Sequence, residues 1–352
     1  MTKKRAFIYV NADDKIGSGH FWRSINIANE LNKYNIQISF IYSSLSSTLI
    51  EILKQNNYAS YEASNTEPDY FIQLIATKNV HDSSLLIIDS DNKNFYAKEF
   101  QLAIIHSRIK LMIITVNPDF HYYAHILLNQ NIIACFQKYS TEDYTHKLFG
   151  PEYFIFNKHF RMLGLQPLKP LGKKIFISFG SADICHYTFQ LLDEILKAKS
   201  LNGFNFYVVV GALNNDYKKI KELFELHSDK RVHLYYNITD VSSVMLHCNM
   251  AICAPGLMFW ELALMGVRSV LFSGSPREKV IASFLNNNEY ACTFHHYDEV
   301  FDATKFDLFE HLLLHFDDRH FNNFSLLREK LNVNGVVKIG SEINNLLSKQ
   351  NL

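Results

Sequence analysis

The sequence predicts an α/β chain of two doubly wound halves, each a parallel sheet covered by helices. Three features carry that expectation. Short apolar strand-like runs alternate with helix-spaced segments from the first residues on, the alternation breaks between about Tyr139 and Lys174, and it then restarts. At 352 residues the chain is too long for one ordinary core and comfortable for two.

Arg5–Asn11 is a β-rich run, and Phe21–Tyr34 then sets Phe21, Ile25, Ala28 and Leu31 at helical spacing. Gln37–Ser43 reads as strand and Leu45–Gln55 as helix. Ser84–Ser90 is an apolar strand ending in a carboxylate, Phe95–Ser107 a helix, and Lys110–Val116 another buried strand. Gly150-Pro151, Gly164, Pro167, Pro170 and Gly172 punctuate the break as an interdomain linker would. Beyond it, strands are expected at Lys174–Phe179, Phe204–Gly211, Val232–Asn237, Met250–Ala254 and Ser269–Ser273. Helices are expected at Tyr187–Lys199, Asp216–His227, Val241–His247, Leu257–Met265 and Pro276–Asn287, with a helical C-terminal stretch. Apolar strands joined by helices mean parallel sheets buried on both faces. The expected division is a domain at 1–148, a linker at 149–173, a nucleotide-binding domain at 174–335 and a C-terminal helix at 336–352. Both domains are Rossmann-like, with a cleft between them, and ligands in such folds sit at the C-terminal ends of the strands.

Composition narrows the function. Lys+Arg and Asp+Glu balance at 35 each, so no global field draws in nucleic acid or an anionic surface. Met1-Thr2-Lys3-Lys4-Arg5 runs straight into a strand too short for a signal-peptide core, and no apolar stretch reaches the ~20 residues that span a bilayer. The five cysteines, Cys135, Cys185, Cys248, Cys253 and Cys292, have no metal-ligand spacing. They read as reduced, mostly buried thiols of a cytoplasmic protein.

Three loops could carry chemistry. In Ile16-Gly17-Ser18-Gly19-His20-Phe21-Trp22-Arg23, Gly17 and Gly19 let a ligand approach the backbone, and His20 stands at the start of a helix as a candidate general base. Arg23 is one turn on. Trp22 occupies the place of the third glycine of a dinucleotide fingerprint, so that motif is excluded; the bland alternative is a βα turn whose histidine caps the helix. In Phe179-Gly180-Ser181-Ala182-Asp183, Gly180 and Ser181 could meet a phosphate or sugar hydroxyl, or Asp183 could simply cap the next helix. In Ala254-Pro255-Gly256-Leu257-Met258-Phe259-Trp260-Glu261, the turn at Gly256 exposes the amides of 257–259, including Leu257 and Met258, to a diphosphate. Glu261 could accept hydrogen bonds from both ribose hydroxyls; a packing helix with Glu261 at its solvent edge is the alternative. Asp89-Ser90-Asp91 is formally D-x-D, but after a buried strand it reads as a substrate-facing strand end or a helix cap. No metal site and no cofactor are expected.

Taken in order, these loops resemble the inverting UDP-sugar hydrolase family of pseudaminic acid biosynthesis. They resemble also the related spore-coat polysaccharide proteins and, more distantly, the lipid II N-acetylglucosaminyltransferases. The family's I-G-x-G-H-x-x-R is matched by Ile16 to Arg23, its G-P-x-Y by Gly150 to Tyr153, its G-G-(S/T)-D turn loosely by Phe179 to Asp183, and its glycine with a glutamate five residues on by Gly256 and Glu261. The resemblance spans roughly residues 6–292. It implies a GT-B fold, metal-independent chemistry and a base role for His20, which would activate a water against the anomeric carbon with inversion and loss of the nucleotide. It further implies ribose binding by Glu261, uracil near Asn237–Ile238, and substrate contacts from Asn11, Asp89, Asn117 and Tyr153.

The chain departs from that pattern at Tyr9 and Asn11 (arginine and aspartate in the hydrolases), at Asp89-Ser90-Asp91 (D-H-Y), and at Asn117-Pro118 (an acidic pair). It departs also at Ser181 (the second glycine) and Leu257 (a hydroxyl residue). Most of these changes fall in the first half, which implies a different substrate or acceptor. The expected function is hydrolysis of a nucleotide sugar, UDP-linked for preference and CMP-linked as the alternative, for surface-glycan synthesis. The rival is a GT-B glycosyltransferase in which His20 deprotonates a sugar hydroxyl. A transferase would show an open groove or an apolar, basic membrane-facing patch on the first domain, and the first helices carry no such face. A non-catalytic sugar-binding scaffold is a third class.

Overall fold

The computed structural model describes residues 4–13, 17–77 and 84–348. Met1–Lys3, Ile16 and the part of the expected C-terminal helix beyond Ser348 lie outside the described residues. By its contacts the chain divides into two compact units. The first holds the described residues to Asp13, His20–Lys158, and those from Asn332 on; the second holds the described part of Asp14–Gly19 and His159–Leu331.

The first unit is built on a seven-stranded parallel sheet. Its strands are β1 (Arg5–Val10), β2 (Gln37–Tyr42), β3 (Ala59–Glu62), β4 (Ser84–Asp89), β5 (Lys110–Ile114), β6 (Ile126–Asn129) and β7 (His146–Phe149), in the spatial order β3-β2-β1-β4-β5-β6-β7. Alternation along β1 sends Ala6, Ile8 and Val10 into one apolar core and Phe7 and Tyr9 into the other, so the sheet is buried on both faces. The helix α1 (Gly19–Asn32) lays Phe21, Ile25, Ala28 and Leu31 into the first core, the four positions its spacing picks out. The last helix, Gly335–Ser348, joins the same core through Val336, Ile339, Ile343 and Leu347. Its first turn runs against the Tyr153–Phe154 backbone, and Lys338 reaches Glu152 at 2.7 Å.

The second unit repeats the plan with six parallel strands. They are β8 (Lys174–Ser178), β9 (Asn205–Val210), β10 (Val232–Tyr236), β11 (Met250–Cys253), β12 (Arg268–Ser273) and β13 (Cys292–His296), in the order β10-β9-β8-β11-β12-β13. The unit begins earlier than Lys174 because the preceding segment is tied to it. Gln166 donates its amide to the Leu264 carbonyl at 3.0 Å and Lys169 to Gly266 at 2.9 Å. Gly266 has φ +74, and a Cβ there would overlap the Pro167 carbonyl.

Every strand expected from the sequence is present, one or two residues shorter, except the one expected at Ser269–Ser273, which starts a residue earlier at Arg268. Four further strands of the two large sheets, β3, β6, β7 and β13, are additional, as are the small two-stranded sheet of His121–Tyr122 and Ser140–Thr141 and the helices Pro68–Ala76 and Lys158–Leu163. Cys248, Cys253 and Cys292 are buried, and burial raises each thiol to about 12. Cys135 is exposed, and none of the five is in a disulfide. Among the described residues no helix is long and apolar enough to cross a membrane.

Candidate functional site

In each sheet the order of connection reverses beside the first strand, and there two loops leave neighbouring strands side by side. In the first unit Val10 is in register with Asp89. In the second, Ser178 is in register with Cys253. The loop carrying His20 therefore issues beside Asp89, and the Gly180 loop issues beside Gly256.

Asp89 is fully buried at the end of β4, and α1 brings three side chains onto it. His20 Nδ1 lies 2.5 Å from Asp89 Oδ1, Arg23 Nε donates to Oδ2 at 2.8 Å, and Arg23 Nη2 donates to Oδ1. Ser24 Oγ adds a long contact at 3.4 Å. Burial alone would raise this carboxyl, but Arg23 first and His20 second hold it well below the usual carboxylate range. Arg23 is buried as well, and Asp89 offsets that desolvation and keeps its guanidinium charged. An ionised Asp89 can only accept, so the proton on the His20 ring belongs on Nδ1. The 3.1 Å approach of Arg23 Nη2 to Nδ1 then joins two donors converging on one carboxylate; it is not a bond between them. Nε2 is left as the ring's second polar atom, with Asp91 Oδ2 at 3.9 Å and the side chain 14% exposed.

Both Asp89 oxygens are thus occupied, by His20, Arg23 and Ser24. Asn11 is likewise occupied. Its Oδ1 accepts from the amides of Ser43 and Ser44 at 2.8 and 3.1 Å, and its Nδ2 donates to Tyr9 Oη. Asn117 shapes its own turn, accepting from the Asp119 amide at 2.8 Å, while Tyr122 donates to its carbonyl. Tyr153 packs on the first core, with Lys338 5.6 Å from its ring centroid. None of these three is bonded to the His20 cluster. Gly17 has φ +80 and a Cβ there would meet nothing within 4 Å, while Gly19 opens α1.

In the second unit, Gly180 (φ +82) also has open space where a Cβ would stand. Ser181 follows it, and its carbonyl accepts from the Leu213 amide. Asp183 takes the capping role: its carboxylate accepts from the amides of Tyr187 at 3.0 Å and Thr188 at 2.7 Å. Gly256 has φ −97, so the turn does not require glycine for its dihedral, yet the space over it is empty to 4 Å. No side chain caps the helix Leu257–Leu264, unlike the helices that Asp240, Ser275 and Asp302 cap. The first-turn amides, with half-buried Leu257 and Met258, thus lack the side-chain partner such amides usually have. Glu261, one turn in, is raised to about 8 by burial with no countercharge. Ile238 follows Asn237, which adopts φ +47 at the end of β10, beside Tyr236 stacked on Tyr217 at 3.6 Å.

Glu278 escaped the sequence reading. It accepts from the Gly274 amide at 2.7 Å, and burial raises its carboxyl, with Asp183 adding to the rise. Ser275 three residues before it accepts from the Glu278 amide at 3.2 Å. The signal was present as Ser-Pro-x-Glu at a helix start, a capping-box pattern. Among the described residues no group of three His, Cys, Asp or Glu side chains is arranged to hold a metal ion.

No protein-family model matches the chain. An uncharacterized protein of Methanocaldococcus jannaschii is 24% identical over 274 residues, which are 75% of this chain and 54% of that protein. The chain thus spans about half the length of this curated relative. Among solved structures, MurG of Acinetobacter baumannii superposes with a TM-score of 0.63 at 14% identity, covering 97% of this chain and 99% of that one. A UDP-glucosyltransferase from Polygonum tinctorium capable of glucosylating indoxyl gives 0.63 at 12%, covering 99% of each chain. The pneumococcal O-GlcNAc transferase GtfA, in complex with UDP and GlcNAc, gives 0.59 at 9%, covering 99% of this chain and 100% of that one. Identities this low carry the fold and nothing finer. With two parallel-sheet units in this strand order, the chain has the GT-B fold.

Proposed function

We propose that the chain is a glycosyltransferase-type enzyme of glycan biosynthesis that draws a sugar from a UDP-sugar and uses His20 as its base. The observation that carries this is the His20–Asp89–Arg23 cluster. An ionised, buried carboxylate holds Nδ1 as donor and leaves the Nε2 lone pair of the neutral ring to take a proton. In the proposed step an acceptor hydroxyl gives its proton to Nε2 as its oxygen bonds to the anomeric carbon. The bond from that carbon to the diphosphate oxygen breaks on the opposite face, with inversion. The uncapped start of Leu257–Leu264 takes the leaving diphosphate, and Glu261 takes the ribose hydroxyls. Gly180, Ser181 and Ile238 would complete the nucleotide side, and Gly17 and Gly19 would leave room for the sugar beside His20.

Transfer is preferred to hydrolysis because the fold is that of the transferases above. UDP is preferred to CMP because two of those neighbours carry UDP in their descriptions. Hydrolysis remains the second reading, favoured by the match of Gly17 to Arg23 with the hydrolase motif. The test is nucleotide release from a panel of UDP-sugars, followed by NMR with and without a glycan acceptor. Release that needs the acceptor and vanishes in His20→Ala supports transfer. Release without acceptor, equally lost in His20→Ala, would replace it with hydrolysis, and unchanged turnover in His20→Ala would overturn both.

A further inference from the structure

A second histidine is held the way His20 is held, and the proposed reaction gives it no task. His186 ends the loop that leaves β8 through Gly180 and Ser181, and its Nδ1 bonds to Asp216 Oδ2. Asp216 is buried, and Lys219 donates to its Oδ1 at 2.8 Å. Burial would raise this carboxyl, but the hydrogen bonds from Lys219 first and His186 second hold it below the usual carboxylate range. Nδ1 is therefore the donor, as it is in His20. Asp216 stands just before the helix Tyr217–His227 yet does not cap it. Its carboxylate turns to the neighbouring loop and to Lys219 instead.

The bond lies where the backbone is least relaxed. Gly180 (φ +82), Asp183 (φ +46) and His186 (φ +59) are all left-handed, three within seven positions. Only glycine adopts that region freely, so Asp183 and His186 need contacts that keep them there. Asp183 has its capping bonds to Tyr187 and Thr188, and its carbonyl accepts from the His186 amide at 2.9 Å. The His186 side chain is 57% exposed, so packing restrains it little and the bond to Asp216 restrains it most. The Asp216 end is firm. Its amide donates to Asn214 Oδ1 at 2.8 Å, the Leu213 amide donates to the Ser181 carbonyl at 3.1 Å, and a Cβ on Gly211 would overlap the Ser181 backbone. The loops after β8 and β9 are thus fastened together at Ser181 and again at His186.

We propose that the His186–Asp216 bond clamps the Gly180–Ser181 turn in the shape that receives the nucleotide, which makes His186 a positioning residue for nucleotide binding. This rests on the nucleotide role proposed above for Gly180 and Ser181. The chain then uses one device twice: an imidazole fixed through Nδ1 by a buried aspartate readies a base in the first unit and a loop in the second.

The test is UDP binding by calorimetry, read beside hydrogen exchange of the 180–186 amides, in the full chain and three variants. His186→Gly accepts the left-handed backbone without strain and removes the bond. Asp216→Ala removes the same bond and leaves the His186 backbone as it is. His186→Asn tolerates the left-handed region and carries an N–H donor in place of Nδ1. If the released turn is competent about a tenth of the time, His186→Gly and Asp216→Ala should each bind UDP about tenfold more weakly, with faster exchange over 180–186. His186→Asn should restore most of the affinity. Circular dichroism and the melting temperature check that each variant is folded. Unchanged exchange in the two bond-removing variants overturns the proposal, as does faster exchange with UDP affinity intact, which leaves the bond a structural role alone. Affinity lost in His186→Gly but kept in Asp216→Ala also overturns it, since the glycine and not the missing bond would then be the cause. A wild-type chain that does not bind UDP overturns the nucleotide reading itself.

Discussion

The two strand-order reversals of this molecule are alike in topology and opposite in electrostatics. In the first unit every buried charge at the reversal has its partner in the chain: Asp89 is paired with Arg23 and His20 and is driven further into its ionised form. In the second unit Asp183 is buried and Glu261 and Glu278 are half-buried, none with a basic side chain bonded to it, and desolvation drives all three toward the neutral form. The helix start beside them has no side-chain cap. A site that supplies a base needs its charges settled before substrate arrives, because reorganisation would raise the barrier. A site that receives a polyhydroxylated, diphosphate-bearing ligand can leave donors and acceptors unspent until binding. The first reversal thus reads as preorganised machinery and the second as a receptor.

The largest test of this contrast is removal of the orienting charge. Asp89→Asn should lower kcat by about a thousandfold or more with little change in KM, because an amide can hold His20 in either tautomer. His20→Ala should match it, and the double variant should cost little beyond either one. Steady-state kinetics on the four proteins checks this, and additive losses would break the idea of one unit.

Arg23→Ala should destabilise the fold by about 3–5 kcal/mol at pH 7, since it strands a buried carboxylate. Denaturant midpoints measure it. Asp89 has a depressed folded value, so its stabilisation is present above the usual carboxylate range and is lost as pH falls through the folded value. The gap between wild type and Arg23→Ala should therefore narrow in acid, and a gap that is flat with pH would remove Asp89 from the explanation.

Glu261→Gln should act in the reverse sense in the second unit. The folded chain keeps the Glu261 proton up to about 8, against an ordinary value of 4.5, so wild-type stability falls as pH rises across that window. The glutamine variant should melt above wild type at pH 8, by about 1–3 kcal/mol, and match it near pH 4. Its UDP affinity should drop up to about tenfold by calorimetry, as the loss of one net hydrogen bond between neutral groups, about 0.5–1.5 kcal/mol, does. A variant that is neither stabilised nor weakened would leave the second unit no receptor character at this residue.

Gly256→Ala is the mildest test. Its φ of −97 suits alanine and the added methyl meets nothing, so the melting temperature should hold within a few degrees. Nucleotide affinity should fall about tenfold, or 1.4 kcal/mol, because the methyl would stand where a diphosphate approaches. Unaltered affinity would mean the open space over the turn is not used.

Much of this fold was legible in the chain alone. Runs such as Leu85–Ile88 are apolar on both faces, and only a strand buried between helix layers has use for that pattern. The spacing of Phe21, Ile25, Ala28 and Leu31 similarly leaves one face for α1 to bury. Strands β3 and β7 were not legible, because they lie at the sheet edges, where a four-residue run is mostly exposed or only partly buried and carries no apolar signature. The loops at Gly17–His20 and Gly256–Glu261 could be picked out because glycine before a helix, with a titratable group just inside it, is a local pattern.

What no local pattern contains is partnership. Asp89 is sixty-nine residues from His20, and it becomes the partner of that ring only because β4 lies beside β1 with Asp89 opposite Val10. Likewise the neutral carboxyl of Glu261 and the capping role of Asp183 follow from burial that packing imposes. Periodicity and turn chemistry act between neighbours in sequence and so are written in it. Strand register and desolvation act between neighbours in space, and only the folded chain decides them.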